Sequence, residues 1–198
     1  MKYATLALLL AAAADRPLLD AVQRSVPFSM TRLGGHDALL ISAAMLGTGW
    51  AAHDNHLRSA GLESVEAQII ASQLFVPLLK RAAGRARPSA DEGTYHFEPF
   101  HSKDEAHRSF PSAHATTAFA AATAIAANYD NRVVPTIAYS LATGVALSRV
   151  KANAHFPSDV VAGAILGGVV AKGVHAHHGF IVLPKHNGVM VIYRRAGE

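Results

Sequence analysis

Three short polar stretches interrupt an otherwise apolar chain, and each contains residue types that can bind an anion. The first, KRAAGRARP, supplies Lys80 and Arg87, and the last, SRVKANAHFPSD, supplies Arg149. Guanidinium and ammonium groups bind oxyanions, and a guanidinium can do so with two parallel hydrogen bonds. Basic residues at a helix C-terminus also complement the helix dipole, so each cation alone has a second interpretation. Together, Lys80, Arg87 and Arg149 are candidates for binding one anionic group.

The middle stretch, FPSAHATTAFAAATA, indicates the start of a helix at Pro111 and Ser112. The first backbone N–H groups of a helix lack partners within the helix, so those near Ala113 and His114 form a ready anion site. The Ser112 hydroxyl either donates to that anion or caps the helix. A cation is disfavoured at this end of a helix, so His114 is expected to be neutral or tunable, as a general acid facing a phosphate would be.

The last stretch predicts a polar turn between two helices. Pro157 fits the first helical position, which makes Phe156 the cap and Asp159 the third helical residue. From there the Asp159 carboxylate can reach back to accept a hydrogen bond from His155 and so fix the tautomer of the imidazole. A nucleophile or base oriented by a carboxylate is expected from this arrangement. The alternative is that Asp159 only complements the helix dipole.

Taken together, these residues predict phosphoryl transfer without a metal. Cations would neutralise the equatorial oxygens, a nucleophile would lie in line with the leaving group, and an acid would protonate the leaving oxygen. The chain has no Cys, so it has neither disulfides nor cysteine chemistry.

The same residues resemble the signature of the type 2 phosphatidic acid phosphatase superfamily, which includes bacterial non-specific acid phosphatases and vanadium haloperoxidases. Its three parts, K-x6-R-P, P-S-G-H and S-R-x5-H-x3-D, occur here in order between Lys80 and Asp159. The positions matched are Lys80, Arg87, Pro88, Pro111, Ser112, His114, Ser148, Arg149, His155 and Asp159. Ala113 stands where the family usually has glycine.

The resemblance implies a role for each of these residues. His155 would form a phosphohistidine, Asp159 would orient it, and His114 would protonate the leaving alkoxide. The phosphoryl oxygens would be bound by Lys80, Arg87, Ser112, the backbone at Ala113, and Arg149. It implies no metal and no cofactor. A Cβ at Ala113 is harmless if its φ is negative, as expected at a helix start, and costs about 1–2 kcal/mol if φ is positive.

The elements that must position these residues read as helices. Five apolar segments have helical length and spacing, and none contains the roughly 18 uninterrupted apolar residues of a clear spanning helix. The segments are Ala38–Trp50, Ser64–Leu79, Ala113–Ala127, Val133–Leu147 and Val160–Val174. An all-α, compact bundle of five to six helices is predicted, with a partly membrane-embedded bundle as the alternative. Pro77 should kink or loosen the end of its segment.

The two ends of the chain have different compositions. Residues 1–14 have the pattern of a signal peptide, with small residues before Asp15, although they could also form the first buried helix. Residues 15–198 then form a single domain. In 179–198, β-branched residues flank Asn187–Gly188, which predicts a C-terminal β-hairpin.

Charge and hydropathy limit the partners. The net charge is +4 and 51% of the residues are hydrophobic, which favours an anionic, amphiphilic substrate. The cations are scattered, which argues against nucleic acid. We expect a phosphatase acting on a lipid phosphomonoester or pyrophosphate, exported and periplasmic or membrane-associated, with an integral membrane protein as the alternative. Other functions left open are an acid phosphatase for soluble phosphoesters, a vanadium haloperoxidase and an inactive phosphate-binding protein.

Twelve histidines raise the question of a metal. HDNH (His53, His56) and HAHH (His175, His177, His178) have spacings compatible with zinc, but solvated surface histidines are the preferred interpretation. The same holds for His96, His101 and His107 in the long polar connection between Arg85 and Pro111.

Overall fold

The computed structural model of the chain describes residues 2–27, 36–100, 104–177, 180–185 and 188–193. In these ranges the fold is a bundle of six long helices followed by two antiparallel strands, and the predicted all-α bundle is confirmed. The helices are α1 (Lys2–Ser25), α2 (His36–Ala51), α3 (Asn55–Ile70) continuing through a π-helical turn (Ala71–Phe75) into α4 (Val76–Ala83), α5 (Ala113–Ala127), α6 (Val133–Lys151) and α7 (Pro157–Ala176). The strands are β1 (Phe180–Lys185) and β2 (Gly188–Tyr193).

The helix formed by α3 and α4 changes its hydrogen bonding just before Pro77. Proline has no N–H to give to the fourth carbonyl before it, so an α-helix is disturbed on its N-terminal side. Here the wider turn Ala71–Phe75 precedes the proline, and the helix then continues to Ala83. The predicted disturbance is therefore present, but it lies upstream of Pro77 rather than in the last turn.

Helix α5 lies at the centre of the bundle, against α3, α6 and α7. Its approach to α7 depends on two glycines. A Cβ at Gly163 would lie 2.6 Å from the Ser112 carbonyl oxygen, and one at Gly167 would collide with the Thr116 carbonyl oxygen. Small residues allow such close packing of two backbones. As a result α5 and α7 begin side by side, and the Ser112 N–H donates to the Asp159 carbonyl oxygen at 3.0 Å.

The outer faces of the long helices are apolar. On α7, Val161, Ile165 and Val169 recur every four residues and are each more than half exposed. The apolar segments in the sequence had appeared too short to cross a membrane. Within the described residues, however, three helices are long and apolar enough to do so by length and composition: Asn55–Ala83, Val133–Lys151 and Pro157–Ala176. Exposed apolar surface of this extent is typical of a protein that contacts lipid or a partner.

Helix α1 runs through the predicted signal-peptide boundary. Asp15, the residue after that boundary, is buried, and so is Leu19 one turn later. The removal of residues 1–14 stays a prediction. At the other end of the chain, Lys185 pairs with Gly188, so Gly188 belongs to β2 rather than to the connecting turn. Asn187, the other residue of the predicted turn, lies outside the described residues.

Candidate active site

Lys80 and Arg87 lie on either side of a sharp helix end. Helix α4 stops at Gly84, which has left-handed angles (φ 55°, ψ 36°), and a Cβ there would collide with the Glu98 carbonyl oxygen. Glycine is therefore required on both conformational and steric grounds. Arg87 is extended before Pro88 (φ −77°, ψ 154°), as expected from its position.

Backbone and side-chain bonds fix the direction of these cations. The Lys80 ammonium donates to the Arg108 carbonyl oxygen. The Arg87 N–H donates to the Ala106 carbonyl oxygen at 2.7 Å, and its Nε donates to the Glu105 carbonyl oxygen at 2.8 Å. Arg87 also pairs with the Glu105 carboxylate at 3.2 Å. The long polar connection therefore positions the basic stretch.

Arg149 lies in the last turn of α6. Its Nε is buried and has no hydrogen-bond partner within the described part of the chain. A buried donor that is left unpaired is costly, so a ligand oxygen at this point would stabilise it.

The start of α5 matches the sequence prediction in detail. Ser112 is the N-cap, and its Oγ accepts from the Ala115 N–H at 3.4 Å. It is fully buried, so the capping interpretation describes it in this structure. Ala113 is the first helical residue and is not among the residues with positive φ, so its Cβ causes no backbone strain. His114 follows in the first turn and is half-buried.

His155 is buried, with its side chain 3% exposed, and its tautomer follows from one contact. Its Nδ1 lies 2.8 Å from the Ser109 carbonyl oxygen. A carbonyl can only accept, so Nδ1 carries the proton and Nε2 keeps its lone pair. Nε2 is thus the nitrogen available for attack.

The expected direct hydrogen bond between His155 and Asp159 is not formed. Their nearest atoms, Nδ1 and Oδ2, are 4.0 Å apart, which exceeds hydrogen-bonding distance. The two are linked through Ser109, whose Oγ donates to Asp159 Oδ2 at 2.5 Å while its carbonyl accepts from His155. The sequence did not reveal this intermediary because Ser109 is 46 residues from His155 along the chain.

Asp159 occupies the predicted helical position but serves more partners than expected. Helix α7 begins at Pro157 with Phe156 as its cap, and the Phe156 N–H donates to Asp159 Oδ2 at 2.9 Å. The other carboxylate oxygen, Oδ1, accepts from Arg85 NH1 at 2.6 Å. Asp159 therefore joins the first turn of α7 to the basic stretch.

Arg85 and Asp15 support the site, and neither was predicted from the sequence. Arg85 NH2 donates to Asp15 Oδ2 at 2.7 Å, and the side chains of Arg85, Asp15 and Asp159 are at most 2% exposed. Asp15 also accepts from the Ser158 N–H and hydroxyl at 2.8 and 2.6 Å. The sequence did show that Asp15 directly follows an apolar segment. That pattern was interpreted as the residue after a signal-peptide cleavage site, and not as part of the active site.

Lys151 and Asn153 connect the C-terminal end of α1 to the segment before α7. Asn153 accepts from Gln23 at 3.1 Å, and the Lys151 ammonium donates to the Val26 carbonyl oxygen. Asn153 has a positive φ of 57°, which asparagine tolerates better than most residues. These contacts fix the segment that carries His155.

The predicted cations affect the pKa values of both predicted histidines. Burial lowers the pKa of His155 well below its usual value, and the charges of Lys80, Arg87 and Arg149 lower it further. Burial also lowers the pKa of His114 to about 4, followed by the effects of Arg149, Lys80 and Arg87. Coulombic effects of this kind act over short range. The same three cations therefore act on both imidazoles, and both imidazoles are neutral at neutral pH.

One protein-family model matches the part of the chain that contains these residues. The family model described as the PAP2 superfamily matches residues 65–181, which is more than half of the chain. The matched region contains all three polar stretches.

Curated relatives and a solved structure agree with that match. The chain is 44% identical to a lipid A 1-phosphatase of Rhizobium etli over 102 residues, covering 50% of this chain and 43% of that protein. A lipid A 1-phosphatase of Rhizobium johnstonii is 44% identical over 101 residues, covering 50% of this chain and 40% of that protein. The matched region thus spans less than half the length of these relatives. The fold is also similar to the crystal structure of Aquifex aeolicus LpxE, with a TM-score of 0.53 and 23% sequence identity. The superposition covers 83% of this chain and 90% of the LpxE chain. At this identity the similarity supports the fold alone.

Proposed function

The chain belongs to the PAP2 superfamily, and on that premise we propose that it is a phosphoric ester hydrolase that removes phosphate from a lipid without a metal. The observation that carries this proposal is the position of His155, a buried and neutral imidazole influenced by Lys80, Arg87 and Arg149. A neutral imidazole can attack phosphorus, and three cations can neutralise the charge of the phosphoryl oxygens.

The first half of the reaction forms a phosphohistidine. His155 Nε2 donates its lone pair to phosphorus, and the bond from phosphorus to the leaving oxygen breaks. The Nδ1 proton stays hydrogen-bonded to the Ser109 carbonyl oxygen, which stabilises the charge that develops on the ring. With a pKa of about 4 in the free protein, His114 is neutral before substrate binds. The negative charge of the bound phosphate raises this pKa, so His114 takes up a proton from solvent as the substrate binds. It then gives that proton to the leaving oxygen.

The second half releases phosphate. His114, now neutral, accepts a proton from water, and the water oxygen attacks phosphorus. The bond between phosphorus and Nε2 then breaks, which restores the neutral His155. As phosphate leaves, the pKa of His114 falls again to about 4, and His114 releases its proton to solvent, which completes the cycle. The N-terminus of α5, with the first backbone N–H groups after Ser112, would bind one phosphoryl oxygen throughout.

The substrate class follows from the relatives and the outer surface. The curated relatives are lipid A 1-phosphatases, so a sugar-linked lipid phosphate of the lipid A type is the first candidate. Phosphatidic acid and isoprenyl diphosphates have the same combination of a phosphate and apolar chains. The apolar outer faces and the three candidate spans support a membrane-associated protein that meets its substrate in the bilayer. An active site on the side of the membrane away from the cytoplasm is part of the same proposal.

The decisive experiment compares the wild type with His155→Ala in detergent. Phosphate release is measured from lipid A, phosphatidic acid, an isoprenyl diphosphate and a soluble phosphoester. We expect His155→Ala to lose at least about a thousandfold in kcat, because the covalent intermediate cannot form. The control is His175→Ala, at the opposite end of α7, which should keep wild-type activity.

A second measurement identifies the intermediate. Wild-type protein mixed with substrate labelled in the transferred phosphate and quenched in base should retain the label on His155. Undiminished hydrolysis by His155→Ala would exclude the mechanism. Preference for the soluble phosphoester would indicate an acid phosphatase, and peroxide-dependent halide oxidation with vanadate would indicate a haloperoxidase.

A further inference from the structure

Three side chains of the long polar connection form a cluster that the phosphoryl chemistry does not use. Glu92 Oε2 lies 3.0 Å from His96 Nε2 and 3.0 Å from His107 Nε2. Among the residues that the structure describes, these three are the group whose donor atoms all lie within 4.8 Å of one another. We refer to Glu92, His96 and His107 as the loop cluster.

The backbone brings the loop cluster together independently of its side chains. The Ala86 N–H donates to the His96 carbonyl oxygen at 3.1 Å, and the Arg87 N–H donates to the Ala106 carbonyl oxygen, one residue before His107. Glu92 follows the short 3₁₀ helix Pro88–Ala90. Two ligands are thus attached to the same extended stretch, which reduces the entropy that a metal would have to overcome in ordering them.

The chemistry of the loop cluster fits zinc. Two imidazole nitrogens and a carboxylate oxygen form a common zinc donor set, with water in the fourth position. Ligand atoms about 2.1 Å from a tetrahedral zinc ion are roughly 3.4 Å apart. Each Oε2–Nε2 distance of 3.0 Å is a few tenths of an ångström shorter, so a small outward movement admits the ion. The side chains are 36% (Glu92), 36% (His96) and 17% (His107) exposed, which leaves a path for entry.

We propose that Glu92, His96 and His107 bind one Zn²⁺ ion. This differs from the sequence-based preference for solvated histidines at these positions. It also differs from the short-spaced motifs HDNH and HAHH, because the ligands here are up to 15 residues apart and meet only in the fold. His101, the third histidine of the connection, and His178 of HAHH lie outside the described residues.

The ion would close the loop that holds Arg87. Glu105 and Ala106, which bind Arg87 through three contacts, immediately precede His107. Zinc linking His107 to Glu92 and His96 would therefore restrict that loop. If zinc also changes phosphate binding by restricting Arg87, that effect rests on the proposed function. The binding of zinc itself does not depend on the proposed function.

The test measures zinc binding directly. The full chain, purified in detergent without a histidine tag and stripped with a chelator, is titrated with Zn²⁺ by calorimetry and by thermal unfolding. We expect one Zn²⁺ per chain and a higher melting temperature. Co²⁺ in its place should give the visible absorption of a four- or five-coordinate site with nitrogen and oxygen ligands.

Two ligand variants and one control decide the assignment. Glu92→Gln and His107→Gln should each weaken zinc binding at least tenfold. Because Glu92 is substantially exposed, Glu92→Gln should fold normally even if His107→Gln does not. His175→Gln should bind zinc like the wild type. The proposal is overturned if the wild type binds no zinc, if Glu92→Gln keeps wild-type affinity, or if His175→Gln abolishes binding.

Discussion

Helices α5 and α7 run side by side in the same direction, and a buried carboxylate lies at each end of the pair. Asp159 lies where the two helices begin, and Glu63 of α3 lies where they end. Glu63 Oε2 accepts from the Asn128 amide at 2.8 Å and lies 2.9 Å from His175 Nδ1. Asp159 instead pairs with the Arg85 guanidinium at 2.6 Å.

The two ends differ in the charge that surrounds the carboxylate. Helix N-termini carry partial positive charge, and at that end the chain adds Lys80, Arg87 and Arg149. At the other end the helix C-termini carry partial negative charge, and Glu63 is held by an amide and an imidazole. An anion is thus favoured only where the helices begin. Burial of a carboxylate is therefore not enough to indicate an anion site. The difference lies in the neighbours, which are cationic side chains near Asp159 and an amide and an imidazole near Glu63.

The largest effect is expected from breaking the buried ion pairs. Arg85→Met leaves Asp15 and Asp159 as buried carboxylates without their cation, and losing one partner of such a network costs about 3–5 kcal/mol of unfolding free energy. Glu63→Gln at the other end keeps the shape and most hydrogen bonds, so about 1 kcal/mol is expected. Denaturant unfolding in micelles measures both.

The outcome that would contradict this difference is an equal loss in the two variants. A melting temperature that shifts with Glu63→Gln as much as with Arg85→Met would mean that both ends are merely structural. The double variant Asp15→Asn, Arg85→Met tests the origin of the effect. It should recover part of the loss, because it removes one of the two uncompensated charges.

A second prediction concerns Arg149, whose buried Nε lacks a partner in the described structure. Arg149→Ala should lower kcat/KM about 10²–10³-fold, as expected for the loss of one donor to a developing negative charge. Arg149→Lys keeps the charge but not the planar fork, and should lie between the wild type and Arg149→Ala. Phosphate release is the measurement. Activity of Arg149→Ala equal to that of His175→Ala would exclude Arg149 from the site.

Much of the site could be predicted because its geometry is encoded locally. Pro157 predicted Asp159 as the third residue of α7, and the structure has it there. The contacts of Arg85 could not be predicted, because Asp15 and Asp159 lie 70 and 74 residues away along the chain. For the same reason Ser109 was not foreseen between His155 and Asp159. Periodicity found five of the six long helices, and α1 was instead interpreted first as a signal peptide. It underestimated the lengths of all but α5, since polar ends such as Asn55 and Lys151 still form helical turns.

A third prediction is the pH dependence of stability, and it tests the cationic end of the helix pair. Burial and the three cations hold the pKa of His155 well below its usual value of about 6.5, and that of His114 at about 4. Below pH 6.5 the unfolded chain therefore binds protons that the folded protein does not. The free energy of unfolding should fall as the pH falls.

Each such histidine contributes a slope of about 1.4 kcal/mol per pH unit between its unfolded and folded pKa values. His155→Asn and His114→Asn each remove one titrating group, so each should flatten the wild-type curve between pH 6.5 and 5, and the double variant should flatten it further. Unfolding in micelles across that range provides the measurement. Parallel curves for the wild type and His155→Asn would mean that His155 binds protons as readily in the folded protein as in the unfolded chain. Its pKa would then not be lowered by burial and the three cations, and the electrostatic argument for a neutral His155 would be wrong.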